Sequence, residues 1–214
     1  MRLRNVKGAK DIINNSKYVI LDYDKYKGKF NELFNNDNDI CIEIGTGKGK
    51  FITELAKLNP NINYIGIEKY DSVLVRALEK VENDNIPNLK FIRMDATEID
   101  SVFDKEIDTI YLNFSDPWPK VRHTNRRLTS TCFLKKYDNL FKDNMHIIFK
   151  TDNRHLFEFS VIEFTTYGYL INDICLNLHD EDLEDNISTE YEEKFSKKGM
   201  PIYKIDVIKQ KNNV

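Results

Sequence analysis

The chain has 214 residues, a net charge of −3, 41% hydrophobic and 31% charged residues, the make-up of one soluble globular domain rather than a disordered chain. A net charge this close to zero does not by itself announce nucleic acid as a partner, and no run approaches the ~18 apolar residues that read as a membrane span. Cys41, Cys132 and Cys175 are scattered, which argues against a disulfide framework or a structural metal site. With no apolar stretch behind the N-terminus, this places the chain in a reducing cytoplasm.

Residues 1–17 carry Arg2, Arg4, Lys7, Lys10 and Lys17 against the single acid Asp11. They read as a basic N-terminal arm, mobile when free, ahead of one domain at residues 18–214. Residues 30–34 suit a short helix. Residues 39–44 form an apolar strand ending at Gly45-Thr46-Gly47-Lys48-Gly49, and Phe51, Ile52, Leu55 and Leu58 then recur at helical spacing over 48–58. A strand at 63–68 and a helix at 70–83 follow, then strands at 89–94 and 107–114. A helix at 130–141 leads to a strand at 145–150. A helix at 154–166 leads to a strand at 169–176, and a final strand occupies 201–208. An acid-rich loop at 180–185 and a helical stretch at 190–196 lie between these last two strands. Strands alternating with helices predict an α/β fold whose mostly parallel sheet is covered on both faces, with right-handed crossovers.

In such a sheet, ligands sit beyond the carboxyl ends of the strands. Four acids fall at four such ends: Glu43, Glu68, Asp95 and Asp116. The glycines allow a tight turn, and the helix after them offers free N–H groups. Glu68 is placed to accept from ribose hydroxyls, and Asp95 to read a base amine. The Gly-x-Gly-x-Gly spacing is neither a dinucleotide fingerprint nor a P-loop. Glu43, inside an apolar strand, needs a partner to offset a burial cost of several kcal/mol. A bound cation or a lysine would serve.

The most informative stretch leaves the strand at 107–114. Pro117 and Pro119 exclude both a helix and a continued ladder, and bias Asp116 and Trp118 toward extended geometry. The loop presents the carboxylate of Asp116 and the one tryptophan of the chain, Trp118. Lys120, Arg122, His123, Arg126 and Arg127 follow. An acid and a ring beside a cationic strip point to a polyanion with a base to be held.

These residues resemble a known family. The Gly45–Gly49 turn, Ile67-Glu68-Lys69 and Met94-Asp95-Ala96 are similar to the cofactor half of Rossmann-like class I methyltransferases with a seven-stranded sheet. Asn113-Phe114-Ser115-Asp116-Pro117-Trp118-Pro119-Lys120 with Arg122-His123 and Arg126-Arg127 resembles the bacterial tRNA (guanine-N7-)-methyltransferases. So do Lys150-Thr151-Asp152-Asn153 and Thr189-Glu190-Tyr191-Glu192-Glu193-Lys194-Phe195. Ser115 and Thr46 stand where many members have proline and cysteine. The resemblance implies S-adenosylmethionine as cofactor, held by Glu43, Gly45, Gly47, Glu68, Asp95, Ala96 and Asp116, with Asp116 catalytic. It implies substrate contacts from Lys120, Asp152, Thr189, Glu190, Tyr191 and Glu192. It also implies RNA contacts from Arg122, His123, Thr124, Asn125, Arg126 and Arg127, and a guanine of the tRNA variable loop as methyl acceptor.

Guanine N7 offers an in-plane lone pair and has no proton to lose, so the transfer is expected to proceed in line without a general base. Asp116 is expected to steady the ring that becomes positive. Exposing a variable-loop base requires local opening. Either Trp118 or Tyr191 is placed to stack on it, although Trp118 reads more simply as core packing beneath the loop. No metal and no membrane are expected, and the protein is expected as a monomer or a homodimer. The alternatives are a class I methyltransferase for another RNA and a non-catalytic RNA-binding protein.

Overall fold

The computed structural model describes residues 6–178, 187–192 and 199–211. Its strands are β1 (Ile40–Ile44), β2 (Asn63–Glu68), β3 (Leu89–Arg93), β4 (Ile107–Asn113), β5 (Phe141–Thr151), β6 (Leu170–Cys175) and β7 (Tyr203–Lys209). They form one seven-stranded sheet in the order β3-β2-β1-β4-β5-β7-β6. β1 to β5 are parallel, and β7 enters antiparallel between β5 and β6. The expected α/β architecture is therefore present. Strand order reverses between β1 and β4, which opens a crevice at their carboxyl ends, the usual ligand position in such a sheet.

Strand side chains alternate between two cores, as a period of two requires. Ile40, Ile42 and Ile44 of β1 and Ile65 and Ile67 of β2 point into one. There they meet α4 (Ile99–Val102), α5 (Thr131–Tyr137) and α6 (Arg154–Thr166) through Ile99, Leu134, Tyr137 and Phe164. Cys41, Tyr64 and Phe91 point into the other. There they meet α1 (Ala9–Asn15), α2 (Lys50–Leu58) and α3 (Asp71–Val81). Burial on both faces explains why these strands read as continuous apolar runs. Among the described residues no helix is long and apolar enough to cross a membrane.

Three expectations change. Part of the segment ahead of Lys17 is a helix, α1, whose Ala9 and Ile13 are buried in the second core. After it, Tyr18 and Ile20 exchange backbone hydrogen bonds with Phe91 beside β3, at 2.7 and 2.9 Å. The helix expected at 130–141 stops at Tyr137, and the strand begins at Phe141 instead of 145. Leu140 and Phe141 are fully buried, but as the turn and strand start opposite Ile107, so their apolarity mimicked another helical turn. Trp118 is not extended: its φ is 41°, and that of Phe114 is 50°. Arg2, Arg4, the acidic loop at 180–185, and Glu193, Lys194 and Phe195 lie outside the described residues.

Candidate active site

The glycine turn leaves β1 at the reversal point. Gly45 has φ 81°, and a Cβ built there meets nothing within 4 Å, so the turn faces open space. Gly49, at φ 75°, caps α2, which begins at Lys50.

Beneath the turn, Glu43 is 2% exposed. Thr46 Oγ1 donates to its Oε2 at 2.6 Å, and Asn113 Nδ2 to its Oε1 at 2.8 Å. Hydrogen bonds from β4 and the turn satisfy the carboxylate, and of the anticipated partners a lysine, Lys150, acts on it through its charge. Burial raises the Glu43 carboxyl to about 7, against those two hydrogen bonds and Lys150, with Glu68 adding to the rise. Asn113 Oδ1 is buried with no hydrogen-bond partner among the described residues, an acceptor left over beside an acid. In the sequence Asn113 is one residue of the Asn113–Lys120 motif, and a polar side chain closing an apolar strand is the signal that marks it.

Glu68 ends β2 at 7% exposure. It accepts from the backbone N–H groups of Gly47, Lys69 and Tyr70 at 3.1, 2.8 and 2.9 Å. Burial still outweighs these donors and raises its carboxyl, and Asp116 adds to the rise. Glu43, Glu68 and Asp116 thus form a chain of acids in which each feels the next. Asp95 caps the short turn Ala96–Glu98 by accepting from Thr97 N at 3.0 Å. An ion pair with Lys69 is the largest cause holding its carboxyl below the usual range. Ala96 packs against the first core.

Beyond β4, Phe114 and Trp118 flank Asp116 with left-handed backbones. Such geometry costs about 1–3 kcal/mol per residue and persists only where the surroundings impose it. Asp116 is exposed between them. Trp118 is half-buried and not in the core. Arg126 lies 4.9 Å over its ring, and His123 meets its edge at 5.6 Å.

A second set of residues closes the rim from the end of β5. Lys150 is 4% exposed and Glu192 fully buried, and they pair at 3.6 Å. Burial lowers the Lys150 ammonium, with Glu192 the leading influence against it. Lys150 also donates to Ile187 O at 3.1 Å, and Lys50 to Ser188 O at 3.2 Å. Thr189 Oγ1 accepts from Glu192 N at 2.9 Å, and Glu190 pairs with Lys80. Tyr191, 42% exposed, packs on Phe114 at 4.9 Å and donates to Asp152 at 3.3 Å. The structure thereby gathers Asp152, Thr189, Tyr191 and Glu192 near Phe114, two residues from Asp116.

Arg122, His123 and Arg126 lie in a 3-10 segment, Val121–Arg126, which Lys120 and Arg127 flank. Lys120, Arg122, Asn125 and Arg126 are exposed, whereas His123, Thr124 and Arg127 are half-buried. The Thr124 hydroxyl donates to Val121 O at 2.6 Å within the same segment.

The chain matches a family model described as a putative methyltransferase over residues 37–205. It is 54% identical over 209 residues to the tRNA (guanine-N(7)-)-methyltransferase of Geobacillus sp. (strain WCH70), covering 97% of this chain and 95% of that one. It is 53% identical over 213 residues to the protein of the same name from Lachnoclostridium phytofermentans, covering 99% and 100%. Among solved structures, an antibiotic-related methyltransferase superposes with a TM-score of 0.65 at 19% identity, over 86% of this chain and 94% of that one. A SAM-dependent methyltransferase from Aquifex aeolicus does so with a TM-score of 0.55 at 13% identity, over 96% and 98%; these two speak to the fold alone. Relatives of that similarity across nearly the whole length decide the matter: the chain belongs to the bacterial tRNA (guanine-N7-)-methyltransferase family.

Proposed function

We propose that this protein methylates N7 of a guanine in tRNA, with S-adenosylmethionine as the methyl donor. The observation that carries this is the convergence of Glu43, Glu68, Asp95 and Asp116 at the ends of β1, β2, β3 and β4, around an open glycine turn and beside an exposed cationic segment. S-adenosylmethionine, when bound, supplies an electrophilic methyl group on a sulfonium and carries an ammonium as well.

The residues fit such a ligand. Burial and a neighbouring acid make Glu43 and Glu68 each harder to ionise, which a cation relieves. Gly45 leaves room for close approach of a ligand to the backbone. Glu68 is held by three backbone donors, which fixes its carboxylate for hydroxyl groups. Asp95, fixed by Lys69 and Thr97, is the acceptor for a base amine.

Guanine N7 needs no base, so the protein's part is placement and charge. Asp116 is the exposed acid between these groups and the cationic segment, suited to steady the guanine ring as it becomes positive. Tyr191, with a face open to solvent and its hydroxyl on Asp152, is the better stacking surface, since Arg126 already covers a face of Trp118. Lys120, Arg122 and Arg126 are the exposed cations for phosphates. We place the acceptor in the variable loop and the reaction in the cytoplasm.

Incubation with radiolabelled S-adenosylmethionine and tRNA lacking N7-methylguanosine, followed by nucleoside analysis, tests the function. Label in 7-methylguanosine supports it. Label in another nucleoside, or none transferred, overturns it.

A further inference from the structure

Arg127 stands at the end of the cationic run, where the sequence suggests an RNA contact. Its surroundings differ from those of its neighbours. Its Nε donates to Pro117 O at 3.0 Å and its Nη2 to Trp118 O at 3.2 Å. The guanidinium lies 4.3 Å over the ring of Phe159 on α6. Arg122 and Arg126 are exposed, whereas Arg127 is half-buried.

The two carbonyls belong to the part of the loop whose conformation the local sequence disfavours. Trp118 precedes a proline, which biases it toward extended geometry, yet its φ is 41°. A fork of donors reaching consecutive carbonyls while its guanidinium rests on a helix is a means of imposing that geometry. The anchor is itself fixed. Leu128 O accepts from Tyr137 Oη at 3.1 Å, and Thr129 Oγ1 bonds Ser160 Oγ of α6 at 2.7 Å, with Tyr137, Thr129 and Ser160 all fully buried. The peptide being held begins one residue after Asp116.

We infer that Arg127 is a positioning residue: it ties the loop that carries Asp116 to helix α6, and does not serve as a phosphate contact. The inference rests on the methyl-transfer function proposed above for its kinetic consequence, but its structural content can be read without turnover. Lysine keeps the charge and loses the planar fork that spans two acceptors, so Arg127→Lys separates charge from geometry. Trp118 is the one tryptophan in the chain, which makes its fluorescence a direct report on the held peptide.

The test compares wild type with Arg127→Lys, Arg127→Gln and Arg122→Gln. Three quantities are measured: Trp118 emission, the salt dependence of the Kd for tRNA, and kcat and KM. Both Arg127 variants are expected to shift Trp118 emission. Their kcat is expected to fall about ten- to a hundredfold, the size of a displacement of ~1 Å near the chemistry. The salt slope of tRNA binding stays at the wild-type value. Arg122→Gln is expected to flatten that slope by about 0.9, one phosphate's worth, with wild-type Trp118 emission. Wild-type kcat and emission in Arg127→Lys, or a slope flattened by about one phosphate in Arg127→Gln, overturns the inference. If Arg127→Gln does not fold, the charge-preserving lysine variant decides alone. If wild type transfers no methyl group to tRNA, the functional proposal fails, while emission and salt slope still judge the clamp.

Discussion

Asn113 donates its side-chain amide to Glu43 at 2.8 Å, tying the end of β4 to the end of β1 where the strand order reverses. The bond places a buried acid under the glycine turn and leaves the oxygen of the same amide without a hydrogen-bond partner among the described residues.

The Glu43 carboxyl titrates near 7 instead of its ordinary 4.5. Its folded value is raised, so between these limits the native state holds a proton that the unfolded chain has released. Its contribution to stability is present in full below about 4.5 and is lost as pH rises through about 7. The loss is roughly 3 kcal/mol, at 1.36 kcal/mol per unit. Binding of a cationic ligand runs the other way, because the ionised acid attracts it. Calorimetry at pH 6, 7 and 8 should find S-adenosylmethionine affinity rising with pH and levelling above 7. In Glu43→Gln the slope should vanish, and the ligand-free protein should be more stable at pH 8, since Asn113 can turn its unused oxygen to the new amide. A wild-type affinity that is flat across this range would contradict the role given to Glu43.

The two glycines that flank the turn should fail differently. At Gly49 an added Cβ comes within 2.8 Å of the Ala77 Cβ, with φ 75°. Gly49→Ala should therefore cost both backbone strain and helix packing, about 2–5 kcal/mol together. Gly45→Ala has the same backbone penalty, about 1–2 kcal/mol, but meets nothing. It should fold and lose S-adenosylmethionine affinity by an order of magnitude or more, because the added methyl stands where the ligand approaches. Denaturant melts and ligand titrations of the pair separate the effects. Equal ligand affinity in Gly45→Ala and wild type would remove this turn from the site.

How far local sequence reaches is visible in particular elements. β2 lies at 63–68 as expected, and α6 at 154–166, because apolar spacing and a capping Asn153, whose side chain accepts from Leu156 N, are local signals. The acids at the strand ends were legible for the same reason. The partners of those acids were not. Asn113 is 70 residues from Glu43, and the left-handed Trp118 is bonded by a residue nine positions on. α1 was hidden by its charge: Ala9 and Ile13 are a short apolar face among lysines, legible only once α3 is beside them.

Lys150 and Glu192 form an ion pair with almost no exposure. Removing one partner of such a pair typically costs about 3–5 kcal/mol, because the other charge is left in a low-dielectric interior. Lys150→Met should show a loss of that order in denaturant unfolding. Adding Glu192→Gln should return part of it, with a coupling of about 1–3 kcal/mol. The same pair fixes the segment that carries Tyr191 against Phe114, so the single variant should also raise the KM for tRNA. Strict additivity of the two substitutions would show that the pairing seen here is not a stabilising one.

Asp116 provides the sharpest test of the chemistry. It is exposed, follows a left-handed Phe114, and its charge is felt by Glu68. Asparagine keeps its size and its carbonyl acceptor and removes the charge. If Asp116 steadies a purine ring that becomes positive, the lost interaction exists mainly in the transition state. Removing an interaction of that kind lowers kcat and kcat/KM together. Loss of one oriented electrostatic group typically costs about 10²–10³ in rate. Asp116→Asn should thus lose about two to three orders of magnitude in kcat, with S-adenosylmethionine affinity within a few fold of wild type. Since N7 has no proton to surrender, the residual activity of the variant should show no new pH dependence that a substitute base would introduce. A defect confined to cofactor binding, with kcat intact at saturation, would move Asp116 from the chemistry to the cofactor.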